Sequence, residues 1–375
     1  MNRHSHHSDV RVGRVLAAMD RAGLDALIAL SGDVHAFQQP NAVMLVTGFR
    51  AIGDSYVVLR KDGELTLTVS PAWEADRAAA GSCATRTEAT DDCRASLAAA
   101  LDHIGPAARL GVVGLDTLGY GDAVWLTQMI GERGQRFDNK FLGATWQKSS
   151  AEIRNAERAT EVAVRGYERL LELARPGVSE TDLATEICAE MADAGADDNF
   201  LMLSAARHNR AVRPPGNHKL EAGDIILCEI SPSVDGQFSQ ICRTAMVGRA
   251  PDVFVEKYAL LQQAFQNGMQ AAVPGARVSD VVAAINANLV EAGYGEFCVP
   301  PHMRARGHGL GFGSIDPGDL SANSQAVIDR DMVFVIHPNQ YIPETGYMMC
   351  GDPVVVTESG ARNLAAQPAS FDQIE

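Results

Sequence analysis

Apolar residues recur at three- and four-residue steps over 11–22, which predicts a helix closed by Gly23. Asp25-Ala-Leu-Ile-Ala-Leu-Ser then reads as a strand. Further strand-like runs cover 42–46, 55–59 and 65–69, with helices expected around 90–103 and 121–131. This alternation predicts an α/β N-terminal domain. Residues 132–150 turn polar and poor in strand formers, a candidate linker.

A longer helical pattern starts at Ser150, with Ala156, Ala159, Ala163, Tyr167, Leu170 and Leu171 in phase, and Pro176-Gly177 stops it. Ser179-Glu-Thr-Asp182 supplies an N-cap for a second helix that closes at Ala194-Gly195. The same order then recurs. Pro274-Gly275 opens a second copy that closes at Ala292-Gly293, with 18 residues from Gly to Gly in both copies. Each copy leads to an apolar strand headed by an aspartate, Asp224 or Asp331. Two copies of helix, helix, strand predict a pseudo-twofold domain rather than a solenoid. The expected division is a disordered His-rich tail over 1–10, an N-terminal domain over 11–147 and a larger domain over 148–375.

With 375 residues, 46% hydrophobic and 21% charged, the chain has ample material for two buried cores. No run of 18 apolar residues points to a membrane span, and no charged-apolar-small order at the N-terminus points to a secretory signal. The seven cysteines are odd in number, lack a CxxC pair and sit partly in apolar runs, which predicts reduced thiols in a cytoplasm. A net charge of −15 argues against a nucleic-acid partner. The early His4, His6 and His7 read as part of the tail.

Candidate chemistry lies in five stretches: Gly223 to Glu229, Ser239 to Thr244, Gly307 to Gly311, Met332 to Pro338 and Gly351 to Glu358. Glu229 stands in an apolar run, so its carboxylate must be ion-paired (Arg243 is a candidate), hydrogen-bonded or protonated. His308 is framed by Gly307, Gly309 and Gly311, which leave its imidazole free to project. His337 ends an apolar strand and would add a group titrating near neutrality. Asp352 either orients one of these histidines or caps a turn. Arg207, His208, Arg210, Arg213, Arg304 and Arg306 are either solvated loop charges or forks for an anionic substrate end.

In order and spacing, these stretches resemble the pita-bread metallopeptidases, a family that includes prolidase, methionine aminopeptidase and creatinase. The resemblance runs from about Lys148 to Glu358, and Asn41 to Phe49 is similar to a stretch of prolidase- and creatinase-like N-domains. It implies an α+β fold: a pita-bread C-terminal domain with an internal pseudo-twofold repeat, preceded by a smaller α/β creatinase-like domain. It also implies a homodimer in which the N-domain reaches the partner's site.

The family's two metal ions are held by two Asp, one His and two Glu, whereas the matching positions here carry Glu229, Gln240, His308, His337 and Gly351. The substrate-side histidine falls near Val212, and the "HE" after Gly-His-Gly falls on Ile315-Asp316. With one carboxylate left, two divalent ions about 3.5 Å apart would repel by roughly 19 kcal/mol at an effective dielectric of 20. The resemblance to creatinase therefore implies a metal-free hydrolase of a small, anionic, non-peptide C–N substrate. In it His308 and His337 move protons, Glu229 holds an imidazolium or a cationic nitrogen, and Gln240, Arg243, Asp352, Arg213 and Arg306 bind substrate. Two alternatives stay open. One is a single Zn, Fe or Mn ion on Glu229, His308 and His337; the other is a non-catalytic descendant that binds a ligand or a protein.

Overall fold

Helix α1 (Ser5–Ala22) opens a computed structural model that describes residues 5–32, 34–313 and 318–375. It buries Val15, Ala18 and Met19, as the helical period predicts. It also takes in residues 5–10, expected to be disordered, because extending an existing helix adds a backbone bond for each residue fixed. Residues 1–4 of that expected tail lie outside the described residues. The chain divides into two compact units, 1–149 and 150–375.

After β1 (Ala26–Leu30) the run 42–46 forms helix α2 (Ala42–Thr47), not the expected strand. All six of its side chains are buried, so the apolar run carries no period that separates helix from strand. The caps decide. The Asn41 side chain accepts from Met44 N at 3.0 Å, and Gly48, at φ 71°, donates its backbone N–H to Met44 O.

The unit continues through β2 (Ser55–Arg60), β3 (Leu65–Val69), α3 (Ala75–Gly81), β4 (Arg86–Ala89) and α4 (Cys93–Ile104). Then come β5 (Leu110–Val113), α5 (Tyr120–Ile130), β6 (Gly134–Arg136) and α6 (Asp138–Thr145). The sheet order is β4-β3-β2-β1-β5-β6, with β1 antiparallel to β2 and parallel to β5. The expected linker at 132–150 is therefore largely domain. β6 closes the edge of β5 with polar side chains outward, while Phe137 and Phe141 are buried.

The second unit begins with α7 (Ser150–Leu173) and α8 (Glu180–Asp193), followed by β7 (Asp198–Ala206), β8 (Ile225–Val234), β9 (Gln237–Phe238) and β10 (Ile241–Val247). Next come α9 (Asp252–Ala271), α10 (Val278–Glu291), β11 (Gly307–Gly309) and β12 (Val333–Ile336). The chain ends with β13 (Gln340–Ile342), β14 (Gly346–Met348), β15 (Asp352–Thr357), β16 (Gly360–Asn363) and β17 (Phe371–Ile374). One sheet runs β17-β10-β8-β7 and the other β11-β12-β15-β16, so each helix pair leads to its own sheet, as the repeat predicts. Ala159, Ala163, Tyr167 and Leu170 of α7 pack on Ile226, Cys228 and Ile230 of β8. The opposite face of β8 carries Ile225 and Leu227, packed with Cys242, Met246 and Met349. Every cysteine is free, and no helix among the described residues is long and apolar enough to cross a membrane.

The capping box of α8 closes reciprocally between Ser179 and Asp182, with Ser179 Oγ accepting from Asp182 N at 3.1 Å. Ser179→Ala should cost about 1 kcal/mol and lower the thermal midpoint by roughly 2–4 °C. A calorimetric scan with an unchanged midpoint would contradict the role of this cap.

Candidate active site

Strand register lines up the central residues. Glu229 of β8 stands opposite Cys242 of β10, and Cys242 bridges to Gly351 through N–H···O bonds of 2.9 and 3.2 Å. The β12–β15 register, with Ile336 opposite Asp352, carries this line on to His337. His308 follows on β11, opposite Val335. Residues directly opposite in antiparallel strands share a face, so Glu229 and Cys242 point to one side. Glu229 and His308 lie in strands whose other residues are mostly buried, and these two and His337, just after β12, are each half-buried.

Two glycines make the arrangement possible. A Cβ on Gly351 would lie 2.6 Å from the Cβ of His337 and equally close to Ile336 O. Gly307, at φ 149°, has no room for a side chain because its Cβ would lie 2.0 Å from Val335 O. The His308 and His337 rings meet edge to face, with centroids 5.6 Å apart. His308 Nδ1 lies 3.1 Å from Gly309 O, a contact in which the ring nitrogen donates.

The electrostatics invert the ordinary order of these groups. Burial pushes the Glu229 carboxyl up to about 7. Burial first, and then neighbouring His308, hold His337 down at about 3. His337 is therefore neutral throughout the physiological range, and Glu229 is the group that titrates near neutrality, a correction to the role expected of the imidazole. His337 Nδ1 is buried without a hydrogen-bond partner.

Gln240 and Ser231 form the next cross-strand position, between the Ile241–Ile230 pair and the bond from Ser239 N to Pro232 O. Strand alternation puts both on the Glu229 side, and both Gln240 Oε1 and Ser231 Oγ are buried with no partner. Unpartnered polar atoms gathered on one face need an explanation, and a bound substrate supplies one. The sequence reading missed Ser231, although it lies two residues beyond Glu229 and a strand period of two would have found it. It also missed Asn339, which bonds Cys350 N and stands 3.9 Å from Cys242 Sγ, and Tyr347, whose hydroxyl burial and the Glu229 charge push up. No sequence signal marks either.

Several expected substrate contacts are structural instead. Arg243 is not the partner of Glu229: it donates to Asp352 Oδ1 at 2.7 Å and to the carbonyls of Cys242 and Gly351. Asp352 orients no histidine, because its second oxygen accepts from Asn363 Nδ2 and Ala369 N. Arg306 is spent on Asn286, Asn339 O and Gln340. Arg207 and Arg304 pair with Glu221 and Asp319. Arg210 and Arg213 stay exposed, so of the five arginines expected to fork an anionic substrate end, three are engaged within the protein. The Ile315-Asp316 position lies outside the described residues.

The donor set does not fit the metal centre that the resemblance implies. One carboxylate, one amide, two imidazoles and a glycine stand where five ligands are needed. Among the described residues no three His, Cys, Asp or Glu side chains gather closely enough to hold an ion.

Residues 152–358 match the model of metallopeptidase family M24. The uncharacterized peptidase YqhT of Bacillus subtilis (strain 168) is 31% identical over 224 residues, 59% of this chain and 62% of that one. A Xaa-Pro dipeptidase of Pyrococcus furiosus is 27% identical over 220 residues, 58% of this chain and 62% of that one. The match thus spans about 62% of the length of these curated relatives. In fold, the chain is similar to the prolidase from Pyrococcus horikoshii OT3, with a TM-score of 0.83 over 96% of this chain and 99% of that one at 22% identity.

A carboxyl whose folded value lies near 7, against an ordinary 4.5, weakens the fold as pH rises through that window, because the unfolded state loses the proton first. Glu229→Gln should therefore be stabilising by about 3 kcal/mol at pH 8 and neutral at pH 4. Urea titrations at the two pH values measure this, and equal shifts at both would contradict it.

Proposed function

This chain belongs to metallopeptidase family M24, and we propose that it is a hydrolase that cleaves a C–N bond in a small, non-peptide substrate by Glu–His acid–base chemistry in place of a dinuclear metal centre. The observation that carries this reading is the inverted order of two groups, a glutamate that burial brings to about 7 and a histidine that burial keeps neutral. Acid–base assignments follow from groups whose environments separate their proton affinities in this way, and an effective catalytic group titrates near the working pH.

In this reading the Glu229 carboxylate takes a proton from water as the water oxygen adds to the substrate carbon. The resulting carboxylic acid returns that proton to the leaving nitrogen as the C–N bond breaks. Neutral His337 holds the water or the developing oxygen by a hydrogen bond, and His308 packs against its ring edge. Gln240 Oε1 and Ser231 Oγ accept N–H groups of the substrate, which favours amides, ureas, amidines and guanidino compounds. The family name implies metal, but the donor set of Glu229, Gln240, His308, His337 and Gly351 does not fit two ions.

A screen of such compounds for amine or ammonia release tests the proposal. The kcat/KM of a turned-over substrate should fall about tenfold per pH unit below 7, where Glu229 is protonated, with no limb from His337 between about pH 5 and 9. Glu229→Gln should lose at least roughly 100-fold while staying folded. Retained activity in that variant sinks the assignment.

Elemental analysis of untagged protein should find no pair of divalent ions, and chelation should leave turnover unchanged. Two stoichiometric ions that turnover requires would overturn the metal-free reading.

A further inference from the structure

The N-terminal unit contains a cavity of about 540 Å³ that the proposed chemistry does not use. It opens where Leu30, Ser31 and Gly32 leave β1 and where Thr117 and Gly119 follow β5. The chain builds the sheet outward from β1 to β4 on one side and from β5 to β6 on the other, so the strand order reverses here. Crevices at the carboxyl ends of parallel strands at such a reversal are the common ligand sites of open α/β sheets, and the volume falls within the roughly 300–1,000 Å³ of small-molecule pockets.

The lining is strongly one-signed. Asp54, Asp91, Asp92 and Asp122 face a single cation, Arg94. Asp91 and Asp92 are committed to the backbone N–H groups of Ala72 and Ala95. Asp122 holds the Arg94 guanidinium, which lies over the Trp125 ring at 5.7 Å. The chain thus already sets a cation of its own between a carboxylate and an indole at this wall. Asp54 is exposed and makes its hydrogen bonds through its carbonyl, which leaves its carboxylate unengaged. Ser55, also in the lining, has a buried hydroxyl with no partner. Burial first, and then the charges of Asp54, Asp92 and Asp122, push the Cys93 thiol up, so the carboxylates act on one place and Cys93 is unsuited to be a nucleophile.

We propose that this cavity is a second ligand site, distinct from the Glu229–His337 centre, that binds a small organic ammonium with an apolar or aromatic body. Asp54 takes the charge, the Ser55 hydroxyl pairs with an N–H, and Trp125, Leu97 and Leu126 cover the body. Such a cation is held by Coulomb attraction together with contact to the aromatic face.

Isothermal titration of the full chain with phenethylammonium tests this, with neutral 2-phenylethanol as the isosteric control. We expect one saturable site, binding about tenfold weaker for the alcohol and about tenfold weaker in Asp54→Asn. Asp54→Glu should restore affinity, Trp125→Leu should weaken it, and Glu229→Gln should leave it unchanged. Asp54 is exposed, so its variants should keep the thermal midpoint. The proposal fails if no saturable heat appears by roughly 10 mM. It fails equally if alcohol and amine bind alike, or if Glu229→Gln rather than Asp54→Asn abolishes binding.

Discussion

The two halves of the second unit are locked by one buried ion pair. Arg243 of β10 crosses to Asp352 of β15, with both side chains nearly inaccessible to solvent. The guanidinium also takes the Gly351 carbonyl and lies 5.8 Å from the Tyr167 ring centroid. A lone charge at this depth would cost several kcal/mol, so each partner is tolerated only because the other, and the hydrogen bonds around both, are in place. The bridge between Cys242 and Gly351 sits beside this pair and fixes how far Glu229 stands from His337. Site geometry is therefore a by-product of the clamp between the halves.

Within that frame, the chemistry follows from removing charge. A face with several carboxylates demands cations, whereas a face with one carboxyl and two imidazoles leaves each group to be tuned by desolvation. Burial disfavours whichever form carries charge, so it raises the acid and lowers the base. The same cause thus brings Glu229 toward neutrality and takes His337 away from it.

Much of the architecture was legible in the chain. The Ser179–Asp182 cap, the Pro-Gly stops and the doubled Gly-to-Gly spacing are local signals, and the helices and sheets follow them. The run 42–46 was misread because side chains buried on every face leave no periodicity, and only Asn41 and Gly48 settled it as helix. The stretch 132–150 looked like a linker because its edge strand β6 carries polar residues outward. At the site, motif order made Glu229, His308 and His337 readable as candidates. Their proton affinities were not, since those depend on burial set by strands more than 60 residues apart. Arg243 and Arg306 were misassigned for a related reason: an arginine beside a motif looks the same in sequence whether it meets a ligand or the protein's own carbonyls.

Gly351 has a consequence for mutational history. Because a side chain at 351 would fall on the backbone and Cβ of His337, the two positions are not independent. Putting a glutamate back at 351 collides with residue 337 before it can reach any ion, and changing His337 alone supplies no second acid. A path back to an ion-binding centre must pass through an intermediate that is worse packed and still unable to bind. The rewritten site is held in place by steric epistasis as much as by usefulness.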